Sequence, residues 1–297
     1  MKLIRLFLAL PLLFLALFSQ DTSTAPRYKS AEAAQSPPTV LLTIDTPSPL
    51  PASSTDVLVS VDKQSFVPVS LQSASSAPVD LILVVDSSSS AMRSPLRMTE
   101  LSDVSRFITG LRNSGIAVRA GVVEFTATAR IVQNLTDDSI ESSLEHLSPG
   151  GGSTLYDALF LATSIAQQCP ASSRRLILLV SDGEDNLSNA TPDEVVQAAV
   201  RSVSPIYALS LGEPARQYAP MSGRGDQFLR FVSAQSGGLA YFPKNQAQVT
   251  EALAAIRSEM QKQYFATVST TKGHHKLRFK TSIPHGVIRG ISAITVN

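Results

Sequence analysis

Three short polar clusters in the 297-residue chain place hard oxygen donors beside apolar runs. Asp86-Ser87-Ser88-Ser89-Ser90 follows LILVV, and Ser181-Asp182-Gly183-Glu184-Asp185 follows LILLV. Gly150-Gly151-Gly152-Ser153-Thr154 comes immediately before a helical pattern that starts at Leu155. Carboxylate and hydroxyl oxygens suit Mg²⁺, Mn²⁺ or Ca²⁺ rather than Zn²⁺. Asp86, Ser88 and Ser90 alternate, so their side chains can converge on a loop while Ser87 and Ser89 point elsewhere. The glycines allow a close backbone approach, and by chemistry alone Ser153 and Thr154 are equal donors. Asp86, Ser88, Ser90 and Asp182 are therefore expected metal ligands. Two carboxylates would just neutralise a dication and leave a coordination position open. A glutamate or aspartate from another protein could fill it with a charge-assisted bond.

Positioning these clusters requires strands that end at one edge. From Val79 the sequence alternates apolar strands with amphipathic helices, which argues for an α/β fold with a doubly wound, mainly parallel six-stranded sheet. The expected strands are Asp80–Asp86, Ala117–Thr126, Arg130–Asn134, Leu176–Asp182, Ile206–Gly212 and Leu239–Pro243. LILVV and LILLV are unbroken aliphatic runs, as in strands buried on both faces. The second and third strands are too close for a crossover helix, so one should be an antiparallel edge. Helical faces are marked by Leu101, Val104, Ile108 and Leu111, and by Leu155, Ala158, Leu159, Ala162 and Ile165. Thr191-Pro192-Asp193-Glu194 reads as a capping box with Pro at the first helical position. In such a sheet, ligands bind beyond the carboxyl ends of the strands, where the strand order reverses.

The motifs D-S-S-S-S, GGGSTLYDAL and LLVSDGEDN together resemble the metal-ion-dependent adhesion site (MIDAS) of von Willebrand factor A (VWA) domains. The resemblance implies five site residues, Asp86, Ser88, Ser90, Thr154 and Asp182, around Mg²⁺ (or Mn²⁺/Ca²⁺). Hydroxyls would bind directly, and one or both aspartates through water. The choice of Thr154 over Ser153 rests on this resemblance. A longer similarity over about residues 55–295 includes RAGVVEF, GGLAYFPKNQAQVTEAL and IRSEMQKQY. It is nearest to the secreted VWFA-related domain family named for acidobacterial proteins. Two positions depart from the common pattern: Ser89 stands where many members carry Gly, and Ala91 precedes Met92 where Ser-Met is usual.

The expected division is a signal peptide at 1–20, a Ser/Thr/Pro-rich linker at 21–38 and accessory β strands at 39–78. A VWA domain at 79–263 and C-terminal β strands at 264–297 complete it. Lys2 and Arg5 precede a short apolar run from Leu6 to Phe18, as in a secretory leader. Export to the periplasm or outside the cell follows, or else the segment stays as an N-terminal membrane anchor. The terminal β runs, Thr39–Asp45 and Asp56–Val69 before and three after Tyr264, are expected to pack as one small accessory sheet. With a net charge of +1 and no basic stripe interleaved with aromatics, nucleic acid is an unsuitable partner. No small-molecule substrate site is evident.

Other motifs have plainer readings. Arg224-Gly225-Asp226 spells an integrin-recognition tripeptide, but Asp226 also suits the cap of a helix over Gln227–Ser236. His274-His275 sit in a Gly/Lys-rich turn, Cys169 reads as a small hydrophobe, and Glu184 and Asp185 as an acidic loop. Segments Met92–Thr99, Leu187–Thr191 and Glu213–Gly225 are expected to rim the site. GxSxG, HExxH, GxGxxG and P-loop motifs are absent. Ser88, Ser90 and Thr154 stand where a two-metal phosphotransfer site would use carboxylates. The expectation is a non-enzymatic adhesion or assembly module that binds an acidic side chain of a protein partner. The rivals are a structural module whose metal only ties loops together and a metal-dependent phosphatase-type hydrolase.

Overall fold

The computed structural model describes residues 37–47, 55, 57–66, 70–211 and 223–296. The expected leader, and the linker up to residue 36, lie outside the described residues. No helix among the described residues is long and apolar enough to cross a membrane.

Four strands come first: β1 (Thr39–Asp45), β2 (Val57–Val61), β3 (Gln64–Phe66) and β4 (Ser70–Ser73). The run expected over 56–69 is thus a hairpin. Val61 lies opposite Gln64, and Asp62 and Lys63 between them have φ of 48° and 77°. A two-residue turn with both φ positive matches the twist of antiparallel strands. Lys63 is an unusual residue for it, so the sequence carries no turn signal there.

The central layer follows as β5 (Val79–Asp86), α1 (Arg97–Asn113), β6 (Val118–Phe125), β7 (Ala129–Thr136), α2 (Glu141–Glu145), α3 (Leu155–Gln167) and β8 (Arg174–Ser181). It continues through α4 (Pro192–Ser202), β9 (Ile206–Ser210), α5 (Gly223–Ser236), β10 (Ala240–Tyr241) and α6 (Gln246–Gln261). The sheet order is β10-β9-β8-β5-β6-β7, parallel except for the β6–β7 edge. All eight residues of β5 are buried, because both faces are covered. Leu81, Leu83 and Val85 meet α1 and α6 on one face, whereas Ile82 and Val84 meet α3, α4 and α5 on the other. Burying each such aliphatic side chain contributes about 1.5–3 kcal/mol. The capping box of α4 is complete: Glu194 N donates to Thr191 Oγ1, and Thr191 N to Glu194 Oε2 at 2.8 Å. The order reverses between β5 and β8, which delivers Asp86 and Asp182 to adjacent strand ends.

Four strands close the chain: β11 (Gln263–Thr267), β12 (Gly273–Thr281), β13 (Val287–Gly290) and β14 (Ala293–Val296). With β1–β4 they form two four-stranded antiparallel sheets, β13-β1-β11-β4 and β14-β12-β2-β3, rather than the single small sheet expected. Val40, Leu42, Val59, Ala266 and Leu277 share a core with Val200 of α4, which joins these sheets to the central layer. The end of α6 is fastened to these sheets and to β8 of the central layer. Arg174 Nη1 donates to the Met260 carbonyl at 2.8 Å, Glu259 pairs with Arg289 of β13, and Lys262 reaches Asp45 at 2.8 Å.

Two plainer readings shift. His274 and His275 lie on β12 rather than in a turn, and His275 Nδ1 meets Asp62 Oδ2 at 2.7 Å. Helix α5 begins at Gly223, so Arg224-Gly225-Asp226 form its first turn and Asp226 does not precede the helix. Cys169 is a buried free thiol, and burial pushes its pKa up to about 11.

Candidate functional site

The site starts where β5 ends. Asp86 is fully buried. Its Oδ1 accepts from Ser88 N at 2.9 Å, and its Oδ2 accepts from the Ser181 hydroxyl at 2.8 Å. Ser181 in turn accepts from Gly183 N at 2.9 Å, which ties the end of β8 to the end of β5. The Ser88 and Ser90 hydroxyls lie 3.0 Å apart, whereas Ser87 turns inward to accept from Arg97 Nη2 at 2.9 Å. Arg97 Nε also donates to the Asp86 carbonyl at 3.1 Å. A guanidinium therefore lies behind the loop, its pKa lowered by burial against the pull of Asp86 and Glu124.

Asp182 follows β8 directly. Its Oδ1 accepts from Glu184 N at 3.0 Å, while its Oδ2 is buried with no hydrogen-bond partner among the described residues. Burial, and then the charge of Asp182, push the Asp86 pKa up to about 7; bonds from Ser88 and Ser181 oppose the rise. Two carboxylates thus lie close enough to repel each other, while the nearby Arg97 guanidinium bonds the Asp86 main-chain carbonyl rather than either carboxylate. Such an arrangement is costly unless a positive charge compensates it.

The glycine loop closes the third side. Gly150 N donates to the Ser87 carbonyl at 2.7 Å, and Ser89 N to the Gly151 carbonyl at 3.1 Å. Ser153 and Thr154, equal by chemistry, have different partners. Ser153 Oγ donates to the Glu184 carbonyl at 2.6 Å, and its own carbonyl accepts from Asn186 and Leu187. Thr154 stands at the start of α3, where its N and Oγ1 both donate to the Thr126 carbonyl at 2.9 and 3.0 Å. That bond occupies its proton and leaves the lone pairs of Oγ1. Asp185 is a loop anchor, accepting from Tyr156 N at 3.1 Å and from the Ser188 hydroxyl at 2.5 Å. Burial and the neighbouring Asp182 raise the Glu184 pKa.

Direct contacts link Asp86, Ser88 and Ser90, and electrostatic coupling joins Asp182 to Asp86. Thr154 is on the loop bonded to theirs. Three supporting residues were not singled out from the sequence. Ser181 holds Asp86. Arg97 lies within the segment read as rim, yet it is 5% exposed and Ser94 also turns inward, donating to the Leu211 carbonyl. Met92 and Met98 of that segment do face outward, as does Leu187. The spacing of Arg97 ahead of Leu101, Val104 and Ile108 puts it on the helix's buried face, which is the signal that could have found it. Gly225 is the third. A side chain there would lie 2.5 Å from the Asp182 carbonyl, and one on Gly183 (φ +82°) would lie 2.5 Å from the Gly225 carbonyl. The first turn of α5 and the Asp182 loop therefore pack backbone on backbone. Of the segment expected over Glu213–Gly225, residues 213–222 lie outside the described residues.

Solved structures align with parts of the chain. The PilB minor pilin from Streptococcus sanguinis aligns at 13% identity with a TM-score of 0.50, over 63% of this chain and 62% of the pilin. The chain thus spans less than two thirds of that relative. An aerotolerance-related membrane protein from Bacteroides fragilis NCTC 9343 aligns at 19% identity (TM-score 0.47), over 62% of this chain and 99% of its own. A von Willebrand factor type A protein from Catenulispora acidiphila aligns at 13% identity (TM-score 0.47), over 89% and 76% respectively. No curated protein matches the sequence. At such identities likeness speaks for fold and not for function. Residues 81–184, which include all five candidate residues, match the family model of the von Willebrand factor type A domain, and the six-stranded layer has that fold.

Proposed function

We propose that the chain is an exported, non-enzymatic adhesion or assembly module of the secreted VWFA-related type. It would capture an acidic side chain of a protein partner through a divalent cation. Asp86, Ser88, Ser90, Thr154 and Asp182 would hold the ion, with Mg²⁺ the best match to hydroxyl and carboxylate oxygens. The observation that carries this reading is Asp182 Oδ2, a buried and unpartnered carboxylate oxygen beside a second buried carboxylate. A bound dication would supply the missing charge and serve as a point of attachment for a further carboxylate. Asp86 already accepts two hydrogen bonds, so it would hold the ion through water while orienting Ser88 and Ser181 and offsetting part of the ion's charge.

The rival in which the metal only ties loops is less well supported. The three loops are already joined by Gly150–Ser87, Ser89–Gly151 and Ser153–Glu184 bonds among protein groups. A phosphatase-type hydrolase is disfavoured because the donor set is rich in hydroxyls and has only two carboxylates at its centre.

The test uses Mn²⁺ as a relaxation probe, alongside Mg²⁺ titrations followed by thermal melting. The chain should bind one Mn²⁺, and a Glu-containing peptide should lower the water-proton relaxation of the bound ion where its Gln counterpart does not. Asp86→Asn should abolish the Mg²⁺-dependent rise in Tm and yet melt higher than the parent protein in EDTA, because one member of the mutually repelling carboxylate pair is gone. Cation binding left intact in Asp86→Asn and Asp182→Asn would sink the metal site. A peptide without effect on a bound ion would sink the bridging role alone.

A further inference from the structure

A cavity of about 550 Å³ lies between the central layer and the β14-β12-β2-β3 sheet. Helices α4 and α5 run antiparallel to the strands they connect, so their last turns, which line it, are at the end of the sheet opposite Asp86. The floor is apolar, made by Val196, Val200 and Ala293, and the walls carry Arg201, His274 and Lys276. None of the ten lining residues is acidic.

Arg201 is in the last turn of α4, where the helix dipole favours a positive charge. That dipole serves Arg201 alone, and Lys276 and His274 come from strand β12. Among the described residues the Arg201 and Lys276 side chains have no hydrogen-bonding or ion-pair partner. His274 Nδ1 is 3.2 Å from the Thr295 hydroxyl, which fixes the ring; the ring also feels the charge of Asp62, and its Nε2 has no hydrogen-bond partner among the described residues. Two positive charges on the walls of one concave site raise its local potential for an anion. The volume falls within the range of small-molecule sites, about 300–1,000 Å³, and an apolar floor with a few convergent polar groups is their usual lining.

We propose that this cavity binds a phosphomonoester with an apolar body, independently of the cation site. Two permanent positive charges, Arg201 and Lys276, match the dianion, and the guanidinium can bind two of its oxygens at once. His274 Nε2 and the Gln235 amide can reach the remaining polar atoms, while Val196, Val200 and Ala293 take the apolar part. The phosphoryl group could come from a soluble ester or from a lipid headgroup.

Calorimetric titration of the full chain in EDTA, which keeps any bound cation from taking the anion, tests this with phenyl phosphate, inorganic phosphate and phenol. Phenyl phosphate should bind at least about tenfold tighter than inorganic phosphate, and phenol should bind least. The Arg201→Ala/Lys276→Ala double variant should lose at least about tenfold in affinity, with its thermal melt unchanged because both positions are exposed. Sedimentation with phosphatidate-containing vesicles identifies the source. Co-sedimentation that the double substitution abolishes assigns a lipid headgroup, and phenyl phosphate binding without it assigns a soluble ester. Absence of phenyl phosphate binding up to about 10 mM, or binding unchanged in the double variant, overturns the proposal.

Discussion

At its first residue β8 carries Arg174, 1% exposed, whose guanidinium donates to the carbonyls of Ser75, Ala77 and Met260. Just past its last residue is Asp182, with one oxygen bonded and the other buried alone. One end of the sheet uses a buried charge to gather two other chain segments, residues 75–77 and the end of α6, and these partners are all internal. The other end leaves a buried charge without a partner. The first arrangement offsets the cost of burying a charge with hydrogen bonds, whereas the second leaves that cost standing in the absence of a ligand. Regions that give up stability in this way are where function is to be sought.

The comparison can be broken most forcefully at the arginine end. Replacing Arg174 by Leu orphans three carbonyls, and urea denaturation should show a loss of about 3–5 kcal/mol. A loss near zero would mean that the end is held by its strands alone. At the site end the matching probe is Glu100, near the start of α1, fully buried with both oxygens unpartnered among the described residues. Burial pushes its pKa up to about 8. The folded protein therefore keeps a proton that the unfolded chain releases above its ordinary pKa, about 4.5. The stability this group allows is complete below that pH and falls as pH rises towards 8, by on the order of 3 kcal/mol. Glu100→Gln should flatten that decline in melts taken from pH 5 to 8, and an unchanged slope would exonerate Glu100.

A smaller effect is expected at Gly225. Alanine normally favours a helix over glycine by up to about 1 kcal/mol. Here the added carbon would press on the Asp182 carbonyl, so Gly225→Ala should instead destabilise by about 1–3 kcal/mol and weaken Mg²⁺ binding in calorimetry. The least effect belongs to the exposed Arg201→Ala/Lys276→Ala double variant, whose unfolding free energy should change by less than about 0.5 kcal/mol.

What could be read from the sequence follows the range of the forces involved. LILVV and LILLV announce buried strands because each run must be covered on both faces, and the central strands lie within a residue or two of expectation. The Thr191–Glu194 box is equally local. Asp86, Ser88, Ser90 and Asp182 were legible as strand-end donors, and Thr154 through resemblance. Contacts between distant segments were not. The first turn of α5 is fixed by Gly225 against Gly183, about 40 residues away in sequence, so the helix begins four residues before Gln227. The Asp62-Lys63 turn depends on the pairing of β2 with β3, and α2 is too short to show a period. Arg97 read as surface because a charged side chain normally is; only its carbonyl and hydroxyl partners keep it inside.

The fastening of α6 bears on how the site can behave. Where a helix slides past a sheet to switch a protein, the natural step is one turn, about 5.4 Å. Such a step here would pull Met260 from Arg174 and Glu259 from Arg289. It would also drag β11, which begins two residues beyond the helix, through its five-residue register with β1. Arg174 of β8 and the accessory sheets thus act together as a detent that opposes a one-turn slide of α6.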